Sequence, residues 1–238
     1  MGREFRIVLD LANDGAFDIT NGEVYLTNVI GQDLSISGSE FQSINLHGRS
    51  QDYPAGEKKL YSWVARANTV PETLTTRMGF AAEYSYRTDA DIPVCIDPDV
   101  YNEVQGKKPC VMQEHIALTG QGAPVAVTSV DILRSFDATE SSGLVDFKIT
   151  VSNVGNGEIS VGSLSSSQPD YLTAQVTISG QPVNCDESKI SIENGKGEVI
   201  CHIRYNLKDA TVGLLHVRLD YIYRQKIEPR EIRIKKKL

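Results

Sequence analysis

Apolar and polar residues alternate with a period of two along several stretches of this chain, the signature of strands buried on one side. Phe5, Ile7, Leu9 and Leu11 alternate with Arg6, Val8, Asp10 and Ala12, and Val145, Phe147, Ile149 and Val151 alternate with Asp146, Lys148, Thr150 and Ser152. Each run ends in the same turn chemistry, Asn13-Asp14-Gly15 or Asn153-Val154-Gly155, because Asn and Gly tolerate the positive backbone angles of a tight bend. A second pair of strands carries a shared motif, "EYSYRTD" from Glu83 and "DYIYRQK" from Asp220. Met78, Phe80, Ala82, Tyr84 and Tyr86 share one face of the first; Leu215, Val217, Leu219, Tyr221 and Tyr223 share the matching face of the second. The first pair lies 140 residues apart and the second 137, in the same order, which reads as an internal duplication.

Between these anchors lie further β-rich pieces, including "GEVYLTNV", "KKLYSWVARANTV", "YLTAQVTISG" and "GEVICHIRYNL", separated by Gly, Pro, Asn and Asp clusters. No segment holds a helical period with caps, so the pattern predicts an all-β protein of two tandem immunoglobulin-like antiparallel β-sandwiches, residues 1–118 and 119–238. Gly120, Gly122 and Pro124 punctuate the expected junction, and Val125 to Leu133 reads as a strand leading into the second copy. The first copy starts almost directly in "FRIVLDLAN". Domain one is therefore expected to lack its first strand, its edge either trimmed or completed by a strand from another molecule.

The paired tyrosines Tyr84, Tyr86, Tyr221 and Tyr223 extend an apolar face and are expected to pack in the core, one of each pair sending its hydroxyl to a backbone group at the sandwich end. A sugar-stacking platform is the alternative. Trp63, the sole tryptophan, is expected in the core on the same grounds.

Four cysteines bear on the compartment. They permit three pairings, between which sequence does not choose. The local one, Cys95 with Cys110 and Cys185 with Cys201, respects the expected domain division and would staple two hairpin-like excursions, each closure contributing about 3 kcal/mol. Zinc held by Cys110, His115, Cys201 and His202 is the competing reading, but there is no CxxC spacing, and adjacent strand residues point to opposite faces. Disulfides imply an oxidising compartment, hence an extracellular or cell-surface location.

Composition narrows the classes. Hydrophobic residues at 40% and charged residues at 23% suit a folded chain rather than a disordered one. No run resembles a membrane span or a signal peptide, so the chain as given is expected to be soluble. A net charge of −7 argues against nucleic acid as a partner. The one basic cluster, Arg230, Arg233 and Lys235 to Lys237, reads as a solvated tail. There is no Asn-x-Ser/Thr acceptor for N-glycosylation.

The strand-turn "LxNxGxxxI" at Leu11, the "YxYxTxAxxxVCIxPD" strand, "GQGAPVAVTSV" at the junction and "NGKGEVIC" in the second half resemble an uncharacterised group of archaeal envelope proteins with cell-adhesion-related, immunoglobulin-like (CARDB-type) domains. Tyr84, Tyr86, Thr88, Ala90, Cys95, Ile96, Pro98 and Asp99 match the strand motif. Members of that group place a membrane anchor helix and one further strand ahead of the region where this chain starts. The resemblance implies a surface module that is membrane-anchored in the full-length protein, with no established activity.

Catalytic residues are not expected. His47, His115, His202 and His216 have no nucleophile motif beside them, and neither a phosphate loop nor HExxH is present. No cofactor is expected, with calcium as the exception to consider. Asp89, Asp91, Asp97, Asp99 and Glu103 cluster around the end of domain one and are candidate Ca²⁺ ligands, set against the plainer reading of a solvated acidic rim. The expected function is a non-enzymatic structural or adhesive surface module. The alternatives are a module that binds glycan, peptide or calcium, and an assembly subunit completed by a donated strand. Expected partners are other surface proteins, or self-association through an exposed strand edge.

Overall fold

A computed structural model of the chain describes residues 4–29, 31, 33–99, 106–137, 142–160, 171–205 and 209–236. Its described residues form strands joined by turns, with no helix, as the alternation predicts. In chain order the first strands are β1 (Glu4–Ala12), β2 (Ile19–Thr27), β3 (Leu34–Ser37), β4 (Phe41–Leu46), β5 (Lys58–Ala67) and β6 (Leu74–Ile96). Then come β7 (His115–Ala117), β8 (Val125–Asp137), β9 (Ser142–Asn153), β10 (Glu158–Ser160) and β11 (Tyr171–Ile178). The chain ends with β12 (Gln181–Pro182), β13 (Asn184–Cys185), β14 (Lys189–Ser191), β15 (Lys196–Tyr205) and β16 (Thr211–Ile234).

Two compact units emerge, residues 1–86 with 222–238 and residues 87–221. This differs from the expected break at residue 118. The physical reason lies in β6 and β16, which at 23 and 24 residues are more than twice the usual strand length and give part of themselves to each unit. A strand of that length looks from sequence like an element of a single domain.

In the first unit one sheet has the order β1-β5-β3 and the second is built from β4, β2 and the parts of β6 and β16 that belong to this unit. Ile7 and Leu9 of β1 are buried while Arg6, Val8 and Asp10 are exposed, the division that period-two alternation requires. Trp63 of β5 is 2% exposed and packs on Phe80 of β6 with ring centroids 5.5 Å apart, joining the two sheets across the core. Ala81 is buried too, on the face opposite Phe80, where its paired neighbour Tyr25 lies beside Phe41.

In the second unit one sheet has the order β13-β15-β9-β8-β7. Val145, Phe147, Ile149 and Val151 of β9 are fully buried. Leu215, Val217 and Leu219 of β16, in the other sheet, are also fully buried, with β11 paired alongside.

Ile7 of β1 pairs with Trp63 of β5, and Phe147 of β9 pairs with Cys201 of β15. The turn after each strand is tied the same way: the Asn13 side-chain amide donates to the Phe17 carbonyl at 2.8 Å and its oxygen accepts from Gly15 N–H at 3.1 Å. Asn153 does the same to Gly157 at 2.8 Å and from Gly155 at 3.2 Å. One position packed against the first turn tolerates only glycine: Gly56, in the loop before β5, has φ +73°, and a Cβ there would run into the Asn13 carbonyl oxygen.

The sheets differ on one side. In the second unit β9 is flanked by β15 and by the 13-residue β8, whereas among the described residues β1 pairs with β5 alone.

Candidate functional site

The tyrosine motifs occupy β6 and β16, which are hydrogen-bonded neighbours, and the charges of the two strands answer each other within each unit. In the first unit the acid Glu83 meets the arginine Arg224, with Arg224 Nε donating to Glu83 Oε2 at 2.7 Å. In the second unit the arginine Arg87 meets the acid Asp220, Nε donating to Oδ1 at 3.0 Å. An acid and an arginine four residues apart on each of two antiparallel strands place opposite charges across from one another at both ends of the motif. The Arg224 pair is the more buried, 14% and 21% exposed against 30% and 39% for Arg87 and Asp220.

The tyrosines lie on the same two strands, Tyr84, Tyr86 and Tyr223 in the first unit and Tyr221 in the second. Tyr86, Tyr221 and Tyr223 are buried, and Tyr84 is half-buried with its ring against Tyr86 and Tyr223. Burial first, then the neighbouring Tyr223 and Tyr86, push the Tyr84 phenol well above its ordinary value, so it stays neutral. Tyr86 accepts a hydrogen bond from Phe17 N–H at 3.1 Å, and Tyr221 accepts from Val125 N–H at 3.4 Å while sharing a 2.9 Å hydrogen bond with Thr88 Oγ1. These hydroxyls satisfy backbone donors that the strand ladders leave over.

All four cysteines are bonded, Cys95 to Cys110 and Cys185 to Cys201, the local pairing. Both bonds lie in the second unit, rather than one in each half as chain order implied, because the β6 segment bearing Cys95 belongs to residues 87–221. Cys185 and Cys201 are direct cross-strand partners of β13 and β15.

The Ca²⁺ candidates separate into two groups, each already bonded to a basic side chain of its own unit. Asp97 and Asp99 share the Lys108 ammonium, at 2.8 and 2.9 Å, and Asp97 is 4% exposed. The hydrogen bonds that Lys108 donates to Asp97 and then to Asp99 raise its pKa, holding it charged. Arg134 adds a hydrogen bond to the Asp99 carbonyl at 3.3 Å, and the Tyr205 hydroxyl donates to the Asp97 carbonyl at 3.3 Å. Asp89 and Asp91 instead flank His216, at 3.5 and 2.7 Å. Glu103 lies outside the described residues. No cluster of three or more His, Cys, Asp or Glu with metal-binding geometry occurs among the described residues.

Sequence reasoning overlooked Lys108 and Arg134, although a signal for Lys108 existed. Asp97 lies two residues after Cys95 and Lys108 two before Cys110, so closing that disulfide brings acid and amine together.

Each histidine is partnered by aspartate: His47 by Asp18, His115 by Asp131, His202 by Asp146 and Asp186, and His216 by Asp91 and Asp89. The His115–Asp131 pair lines an open groove of ≈ 600 Å³ with Glu114, Ile132, Leu133 and Arg134. That lining offers acid–base groups but neither serine nor cysteine. His202 spans two carboxylates beside the Cys185–Cys201 bond, Asp146 at 2.7 Å and Asp186 at 2.8 Å, which raise its pKa.

No family model matches this chain, and no curated protein and no solved structure matches it either.

Proposed function

We propose that this chain is a non-enzymatic structural or adhesive module of a cell envelope, built as two related immunoglobulin-like sandwiches. The observation that carries the reading is the pair of closed disulfides in a helix-free β-framework, since structural disulfides persist where the surroundings are oxidising. The shared turn bonds at Asn13 and Asn153, and the reciprocal charges of the two tyrosine motifs, support common descent of the two halves. The sequence resemblance to archaeal CARDB-type envelope proteins points the same way. A passive role is further supported by the polar groups. The aspartates, histidines and arginines named above spend their hydrogen bonds on one another, which stabilises a scaffold rather than leaving groups poised over a substrate.

No described helix is long and apolar enough to cross a membrane.

The test uses the protein in its native cells. Intact cells are treated with a membrane-impermeant amine label, and the extracted protein is alkylated before and after reduction. Surface exposure predicts labelling without permeabilisation and no alkylated cysteine before reduction. Four alkylated cysteines in the unreduced protein, or labelling only after lysis, would overturn the reading.

A further inference from the structure

The segment that follows β6 holds a lysine against two shielded carboxylates. Lys108 Nζ lies 2.8 Å from Asp97 Oδ2 and 2.9 Å from Asp99 Oδ2, and the two carboxylate side chains are 6% and 10% exposed. The pairs Lys59–Glu57 and Lys148–Glu198 are more exposed on both partners. The Cys95–Cys110 bond fixes the arrangement, because Asp97 stands two residues after one cysteine and Lys108 two before the other. Amine and carboxyl are thereby held together by a covalent ring as well as by their own attraction.

Further groups converge on Asp97. The Asp99 backbone N–H donates to Asp97 Oδ1 at 3.0 Å, and Arg134 Nη1 stands 3.9 Å from Asp97 Oδ2. The Tyr205 hydroxyl donates to the Asp97 backbone carbonyl at 3.3 Å and holds the residue in place. These are the parts that acyl transfer requires: a nitrogen nucleophile beside a carboxyl carbon, a second carboxylate on the same nitrogen as proton acceptor, and a backbone donor on the oxygen that gains negative charge. Confinement of the two reactants in such a geometry is worth an effective concentration of ~10⁵ M or more, which a free amine and acid in water lack.

We propose that Lys108 and Asp97 condense into a side-chain amide, an intramolecular cross-link nested inside the Cys95–Cys110 ring. Along their hydrogen bond the ammonium passes one proton to Asp97 Oδ2, leaving an amine facing a carboxylic acid. The nitrogen then attacks Asp97 Cγ, and the C–N bond forms. Asp99 takes the second proton from the nitrogen and returns it to the Oδ2 hydroxyl, which leaves as water as the C–O bond breaks. Oδ1 remains as the amide oxygen, still accepting from the Asp99 N–H. One water is released, no oxidant or co-reactant is needed, and Asp99 ends as it began. Because the ion pair is the favoured resting form, the reaction is slow and the cross-linked fraction grows as the protein ages. The loop is then closed twice, once by a bond that reduction opens and once by a bond that it does not. The inference stands apart from the envelope reading, which concerns location, because it is decided on purified protein.

The experiment is intact mass measurement of the purified full chain, reduced and denatured, fresh and after prolonged incubation. The wild type is expected to fall below its sequence mass by one water. Peptide mapping after reduction and alkylation should place the loss in a branched peptide joining Lys108 to Asp97. Lys108→Arg keeps the charge but cannot condense in this way, and is expected at full mass throughout. Asp99→Asn keeps the shape but not the proton acceptor, and is expected to lose water ~100-fold or more slowly than the wild type. Far-UV circular dichroism and closure of both disulfides confirm that each variant is folded. A wild-type chain that holds its full mass through the incubation overturns the proposal. So does a water loss that persists in Lys108→Arg, an Asp99→Asn chain that condenses at the wild-type rate, or a branch that maps to a residue other than Asp97.

Discussion

At the level of single residues, the sequence fails to show its most consequential polar contacts because they join positions far apart in the chain. His202 illustrates the point. Nothing near it in sequence marks it, yet folding sets it between Asp146 of β9 and Asp186 beyond β13. The two hydrogen bonds, Asp146 first, raise its pKa above the ordinary value of 6.5. A raised folded-state pKa means that the protonated form is bound more tightly in the fold, so the stabilisation is complete below the unfolded value and fades as pH rises through the folded one. His202→Asn should therefore lower the melting temperature at pH 5 and narrow its deficit steadily as the pH passes above 6.5 toward 9. Thermal melts of wild type and variant across that range check it; a deficit that is constant or grows with pH would contradict the linkage.

At the level of elements, the alternation of β1, β9, β6 and β16 was legible, since period two needs only local sequence and one buried side. The lengths of β6 and β16 were not. Their motifs were read as two equivalent strands of two domains, while the physical meaning of acid, tyrosine and arginine is that each copy supplies the opposite charges of the other. That complementarity was visible in "EYSYR" and "DYIYR", but it acquires meaning only once the strands are known to be neighbours. The two ion pairs should differ in weight, because a buried charge left alone costs far more than an exposed one. Arg224→Met removes the cation beside the shielded Glu83 and should lower unfolding free energy by about 2 kcal/mol. Arg87→Met, facing better-hydrated Asp220, should cost less than ~1 kcal/mol. Urea melts of the two variants measure the contrast, and equal midpoints would show that exposure does not govern these pairs.

For the molecule as a whole, the all-β class followed from patterning, while the division into units did not, because covalent order and spatial grouping diverge when one strand serves two bodies. The cysteines turn this difference into a measurement. Had each half carried one staple, reduction would weaken both alike. Instead both bonds lie within residues 87–221, closing loops with sequence separations of 15 and 16 residues, and each contributes about 3 kcal/mol to that unit. Residues 1–86 with 222–238 contain none. Hydrogen exchange of the oxidised and reduced protein should then show protection falling in β8, β9 and β15, which share the sheet anchored by Cys201, and largely retained in β1 and β5. The shared strands give a graded reading: the half of β6 after Arg87 should lose protection before the half that precedes it. Uniform loss along β6, with β1 and β5 exchanging as fast as β9, would mean that the two units open together and that the long strands bind them into one cooperative body.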